Sequence, residues 1–197
     1  MKKCLLVLSV LLTAFTSGGP APANRLGVAG PLTFDKTVFN LAWSGKPSAT
    51  YYVQEYLPSG EKLASFQRML ALHLFDKDAD VKDVVNLKIN ELEARKQTDA
   101  ICHYEVTASP DEKEIIVDFL LSQNIGYSQA IAEFNVYRYK KVDLGAGKPG
   151  VLLYAYSKRS YGAAINDFLK TLAPVRTAAI AAMITTKVPA VKIADSK

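Results

Sequence analysis

The residues best placed for chemistry fall on two neighbouring predicted strands, Ile101–Thr107 and Glu114–Ser122. Side chains alternate faces along a strand, and paired strands must bring their apolar faces to one side. On that rule Val106 pairs with Ile115, Tyr104 with Val117 and Cys102 with Phe119, which sets His103 opposite Asp118. Aligning Phe134 with Phe119 and Val136 with Val117 on the next strand adds Asn135 beside Asp118. Tyr137, two residues further on, is the fourth candidate ligand contact. A histidine beside a carboxylate can serve as a general base with its orienting partner. The same pair on a partly wet sheet face is also an ordinary polar contact, worth about 0–1 kcal/mol. No nucleophile or oxyanion site completes the set, so His103, Asp118, Asn135 and Tyr137 are read as ligand-binding, and no catalytic residue is assigned.

Other chemistries fail on spacing. Cys102 and His103 are adjacent on a strand and point to opposite faces, so they cannot chelate one ion, and no HExxH or paired CxxC is present. No metal and no cofactor is expected. Asp76, Asp78 and Asp80 alternate like the start of a calcium loop but lack its glycine and terminal glutamate, and fit a capped helix start better. Gly145-Ala146-Gly147-Lys148 lacks the first glycine of a phosphate loop, and Pro149 stands where the magnesium-binding hydroxyl is required. Around Ser128, Gly126-Tyr127-Ser128-Gln129-Ala130 approximates a nucleophile elbow, yet it lies between two predicted strands where the elbow needs a helix to follow.

Eight tyrosines sit in predicted strands: Tyr51, Tyr52, Tyr56, Tyr104, Tyr137, Tyr139, Tyr154 and Tyr156. With Arg138, Lys140, Lys141, Lys158 and Arg159 they could form a basic aromatic surface for a glycan, peptide or lipid head group. Tyrosine is also a common strand former, and a structural role is the simpler reading. The broken alternation at Tyr137-Arg138-Tyr139 implies a bulge or a strand covered on both faces.

The positioning elements follow from periodicity. EIIVDFLLS at Glu114–Ser122 is the centre of the sheet, with Ile115, Val117, Phe119 and Leu121 on one face. Strands are expected at Thr37–Trp43, Thr50–Leu57, about Arg68–Phe75, Ile101–Thr107, Ala130–Val142 and Val151–Ser160, with a turn at Ser44–Ser48 and a helical turn at Glu61–Phe66. Asp78–Gln97 is the clearest helix, with Val81, Val84, Val85, Ile89 and Leu92 on one side. Further helices are expected at Gly162–Leu172 and from Pro174 to Ile184. Short connectors favour an antiparallel meander. The expected fold is therefore a single α+β domain over residues 24–186, an antiparallel meander packed with two to three helices, followed by a flexible tail at 187–197.

The N-terminus reads as a secretory signal peptide at residues 1–23: Lys2 and Lys3, then twelve apolar residues from Cys4 to Phe15, then Ala21-Pro22-Ala23. That run is shorter than the roughly 20 apolar residues a membrane span needs, so no transmembrane segment is expected after cleavage. Beyond residue 23 only one cysteine remains, so an internal disulfide is impossible. Hydrophobic residues make up 49% of the chain, enough for a core, and a net charge of +5 with no basic block gives no reason to expect nucleic acid. The stretches YYVQEYLPSGEKL, EFNVYRYKK and SKRSYG resemble small uncharacterised exported proteins of bacteria. That resemblance implies location and fold class, and it carries no catalytic motif. The expected function is a soluble exported binding or accessory protein of the cell envelope, periplasmic or secreted, without catalysis. Its partner would be an envelope protein, a peptide or a glycan. The alternative is a small envelope hydrolase using His103 and Asp118.

Overall fold

The computed structural model describes residues 21–125 and 128–194. The expected signal sequence falls almost wholly outside them. The chain forms β1 (Leu32–Phe34), β2 (Thr37–Ser48), β3 (Tyr51–Leu57), β4 (Arg68–Phe75), α1 (Val81–Arg95), β5 (His103–Ala108), β6 (Glu114–Ile125), β7 (Ser128–Asp143), β8 (Pro149–Tyr161), α2 (Ile165–Lys170) and α3 (Leu172–Thr185). The strands make one antiparallel sheet in the order β1-β2-β3-β4-β8-β7-β6-β5. Two meanders thus join where β8 pairs with β4, from Arg68↔Lys158 to Phe75↔Val151.

The α+β expectation is corrected by this architecture. Strands hold 44% of the residues and helices 24%, and the sheet curls into a half-barrel, so the fold is dominated by β structure. The physical reason is that a ladder continues past weak strand formers when partners flank it. β7 runs for 16 residues and β8 for 13. The turn expected at Ser44–Ser48 is part of β2, and the chain reverses after it. Register shifts between Leu41 and Trp43, and between Gly45 and Ser48, absorb Ala42, Lys46 and Pro47 as irregularities near the sheet edge, while Gly45 stays paired with Val53. β1 was not expected. Asp35 and Lys36, both at positive φ, make the tight two-residue turn that folds it onto β2.

Local signals set α1 well. Asp80 caps its N-terminus by accepting from Lys82 N at 2.7 Å. Val81, Val84, Val85 and Leu92 are buried against Ile115, Val117, Phe119 and Tyr139 of β6 and β7. Beyond its C-terminus, Asp99 accepts from Ser122 N at 2.6 Å while Arg95 donates to Ser122 O at 2.5 Å, which fixes the helix end to β6.

The opposite face carries the larger core. Tyr52, Tyr56, Leu70, Leu72, Leu74, Phe134, Val136, Leu152 and Tyr154 are buried there beneath α2, α3 and both terminal segments. Gln54, fully buried, accepts from Leu26 N at 2.8 Å and donates to Val28 O at 2.9 Å, so the N-terminal lead-in is part of the fold. Residues 187–194, expected to be a flexible tail, pack beside it: Lys192 N donates to Leu26 O at 3.0 Å and Ala194 N to Arg25 O at 2.9 Å. Val191 is buried in the same core. No single described helix is long and apolar enough to cross a membrane.

Candidate functional site

Pairing in the sheet separates the four residues proposed from sequence. His103 pairs with Leu120 and Glu105 with Asp118, a slip of two residues from the expected register. His103 is exposed, 3.8 Å from Glu105. Asp118 pairs with Val136, whereas Asn135 pairs with Phe119. That shift of one residue moves Asn135 and Tyr137 to the α1 face, away from Asp118. The expected row His103–Asp118–Asn135 is therefore not formed, and the dyad required by a His103–Asp118 hydrolase is absent from the described residues.

Asp118 has a structural partner instead. Its carboxylate, only 6% exposed, accepts from Arg176 Nε at 2.5 Å and Nη2 at 2.9 Å, and Arg176 Nη2 lies 2.8 Å from Glu105. The hydrogen bonds to Asp118 hold the Arg176 guanidinium above its usual pKa range. Arg138 grips the other end of the same helix by donating to the carbonyls of Met183, Ile184 and Thr186. Together these contacts clamp α3 to the sheet.

The tyrosine surface is also corrected. Tyr56, Tyr139 and Tyr154 are almost completely buried, and Tyr51, Tyr52 and Tyr156 are buried. Tyr137, Arg138 and Tyr139 pair without a bulge, so the strand is covered on both faces, by α1 on one side and α3 on the other. β7 begins at Ser128, so a strand follows the elbow-like segment; Gly126 and Tyr127 lie outside the described residues. Among the described residues no group of histidine, cysteine and acidic side chains is placed to hold a metal ion.

Asn135 and Tyr137 instead join a polar patch that spacing alone did not reveal. On the α1 face one cross-strand row runs Trp43–Glu55–Ala71–Ala155–Tyr137. The next row contains Met69, Ser157 and Asn135. α1 packs chiefly on β6 and β7, and Ala71 of β4 and Leu153 and Ala155 of β8 are buried in the same cluster. Ala71 and Ala155 are the small, buried members of the first row, between Glu55 on one side and Tyr137 on the other.

These rows and their neighbours hold polar groups in unusual states. Asn135 is fully buried; its Oδ1 accepts from Ser157 Oγ at 2.6 Å, and its Nδ2 is buried with no partner. A buried amide left unpaired costs about 1–3 kcal/mol. Burial pushes the Glu55 carboxyl up to about 7 against the pull of Arg159, and among the described residues Glu55 has no hydrogen-bond or ion-pair partner. Burial, helped by Lys88, pushes His73 down to about 4, and its Nδ1 lies 2.7 Å from the Tyr51 hydroxyl. His73 is therefore neutral at pH 7. By contrast the neighbouring charges are matched: Arg159 pairs with Glu133 and Lys88 with Glu91.

Trp43 begins the first row, and Gly45 lets its ring fold back. A Cβ on Gly45 would lie 2.5 Å from Cη2 and 2.8 Å from Cζ2 of Trp43. Gly45→Ala is expected to expel the indole at a loss of about 1 kcal/mol, comparable with mild overpacking. Trp43 is the only tryptophan, so its emission reports the change directly. A spectrum identical to wild type would show that the ring does not rest on Gly45.

Sequence reasoning passed over Glu55, His73 and Ser157. The available signal was a polar residue inside an otherwise apolar strand, as in YYVQEYL and LALHLF. Nothing local says that these strands share one face of the sheet.

A family model, for an uncharacterised family, matches residues 26–188. No curated protein and no solved structure matches the chain.

Proposed function

The chain belongs to this uncharacterised family, and from that premise we propose that it is an exported, soluble accessory protein of the bacterial cell envelope. In this reading it binds a polar ligand, derived from a peptide or glycan, at the polar patch around Asn135 and Ser157 on the α1 face, and does not transform it. The observation that carries the reading is the buried, unpartnered Nδ2 of Asn135 beside Ser157. Buried polar groups are nearly always satisfied, so an orphaned donor beside a polar neighbour marks a place where a partner is missing.

The double variant Asn135→Leu/Ser157→Ala tests this. Replacing both polar partners by apolar groups is expected to be neutral or stabilising by about 1 kcal/mol. The variant should also lose small molecules that wild type retains from an envelope extract in equilibrium dialysis with mass-spectrometric detection. Equal retention by both proteins would remove the Asn135–Ser157 patch as the site. Cell fractionation tests export separately: full-length protein retained in the cytoplasm rules it out.

A further inference from the structure

We propose that the cavity at the end of β8, beside Lys158, binds the oxyanion of a small ligand, a carboxylate or a phosphate, with Lys158 as its counter-ion. This site is separate from the patch around Asn135 and Ser157 and shares no residue with it. Its volume is about 360 Å³, within the range of small-molecule sites. Backbone geometry builds it. The β4–β8 ladder runs one residue past Arg68, where Arg159 N donates to Gln67 O at 2.9 Å. β8 ends at Tyr161, and Gly162, at φ 51°, turns the chain into a 3-10 turn and then α2. That reversal brings Ala164 and the buried Phe168 to the same cavity as Gln67, Lys158 and Ser160.

Two observations point to an anion. First, Lys158 directly faces Arg68 across the ladder. Like charges opposite one another destabilise a strand pair, and Lys158 is half-buried, so water relieves only part of the repulsion. Second, the acids nearby are already taken. Arg68 Nε lies 3.5 Å from Glu61, and its Nη1 donates to Thr37 Oγ1 at 3.0 Å. Arg159, also at the cavity wall, pairs with Glu133 and rests on Phe66 with its guanidinium 4.0 Å from the ring centre. The Tyr161 hydroxyl donates to Phe66 O at 2.6 Å. Lys158 has neither a hydrogen bond nor an ion pair among the described residues, and the side chains of Ser160 and Gln67 donate to none of them. The cavity thus gathers an ammonium, a hydroxyl and an amide that can all donate, with no carboxylate in its wall. An oxyanion accepts from all three, and a charged acceptor makes such bonds roughly twice as strong as a neutral one. Lysine supplies a compact charge that suits carboxylate and phosphate alike. Phe168 and Ala164 offer the ligand's body an apolar wall.

Benzoate and phenyl phosphate distinguish the two sources of the oxyanion, each with an aromatic body for the Phe168 wall, and benzamide is the neutral control. Binding is read by titration calorimetry and by amide shift mapping on the wild-type protein. At least one of the two anions is expected to bind about tenfold more tightly than benzamide, with shifts centred on Lys158, Ser160 and Phe168. Preference for benzoate alone identifies a carboxylate, for phenyl phosphate alone a phosphate, and for both a site that accepts either oxyanion. Lys158→Gln should abolish the preference. Because it also removes the repulsion with Arg68, the variant should fold with an unchanged or higher melting temperature. Equal binding of the anions and benzamide, shifts that map elsewhere, or no binding of either anion at millimolar concentration would overturn the oxyanion site. So would a folded Lys158→Gln protein that keeps the preference. The Asn135–Ser157 patch is tested separately, by the dialysis of its own double variant.

Discussion

Arg176→Met is expected to lower the free energy of unfolding by about 3–5 kcal/mol, the size measured when one partner of a buried ion pair is removed. Asp118 is only 6% exposed and is met by two hydrogen bonds from the guanidinium. Without Arg176 its carboxylate remains in a core between Val136, Ile116 and Leu120 with no compensating charge. The second contact of Arg176, to the half-exposed Glu105, contributes little because solvent screens it. The double variant Asp118→Leu/Arg176→Met should recover most of the loss, because well-packed apolar groups replace such a pair at little cost. Urea denaturation of the two variants checks both statements. A loss below about 1 kcal/mol in the single variant would place this pair with ordinary surface ion pairs. α3 should be the element that loosens, since Arg138 would remain as its main polar anchor. Early hydrogen exchange in residues 172–185 would show this.

Glu55→Gln is expected to act in the opposite direction, raising stability at alkaline pH. The folded-state pKa of Glu55 is raised from 4.5 to about 7. Below pH 4.5 the group is protonated in both the folded and unfolded states and has no effect. Between 4.5 and 7 the folded state holds a proton that the unfolded state has released, so stability falls as pH rises. Above 7 the full penalty is present, on the order of 1–3 kcal/mol after allowance for partial exposure. Glutamine removes it, so the melting temperature of the variant should exceed that of wild type at pH 8 and match it at pH 4. An equal difference at both pH values would mean that ionisation of Glu55 is not the cause. His73 titrates over an overlapping range with the reverse sign. Its pKa is lowered from 6.5 to about 4, so its contribution is complete above 6.5 and is lost as pH falls toward 4. Comparing variant with wild type at each pH cancels that contribution. A carboxylate that weakens the fold at neutral pH is the kind of local cost that binding sites retain.

Much of the local structure is legible in the chain. The α1 helix was readable from its apolar spacing and from its acidic start, where Asp80 supplies the cap. β4 and the meander from β5 to β8 follow from short apolar runs and polar connectors. The site was not readable, for two physical reasons. Apolar matching between β5 and β6 works almost as well two residues away, since both strands alternate with period two. Helices also cover both faces, so Asp118 and its apolar neighbours Ile116 and Leu120 sit on a face just as buried as that of Val117 and Phe119. Alternation then cannot tell which face Asn135 joins, and a shift of one residue moved it to the other side of the sheet.

By itself the sequence determined where the helices and most strands lie, because those choices depend on residues within a few positions of one another. Capping, apolar period and turn residues are local energies. Tertiary structure alone decided which side chains meet. Glu55, Ala71, Ala155 and Tyr137 become one row only because β8 inserts between β4 and β7. Asp118 finds Arg176 only because α3 returns across the sheet 58 residues later. Those neighbours are chosen by burial and by charge matching over long separations. The residues expected to form one site are therefore divided between a structural clamp on the α3 face and a polar patch on the α1 face.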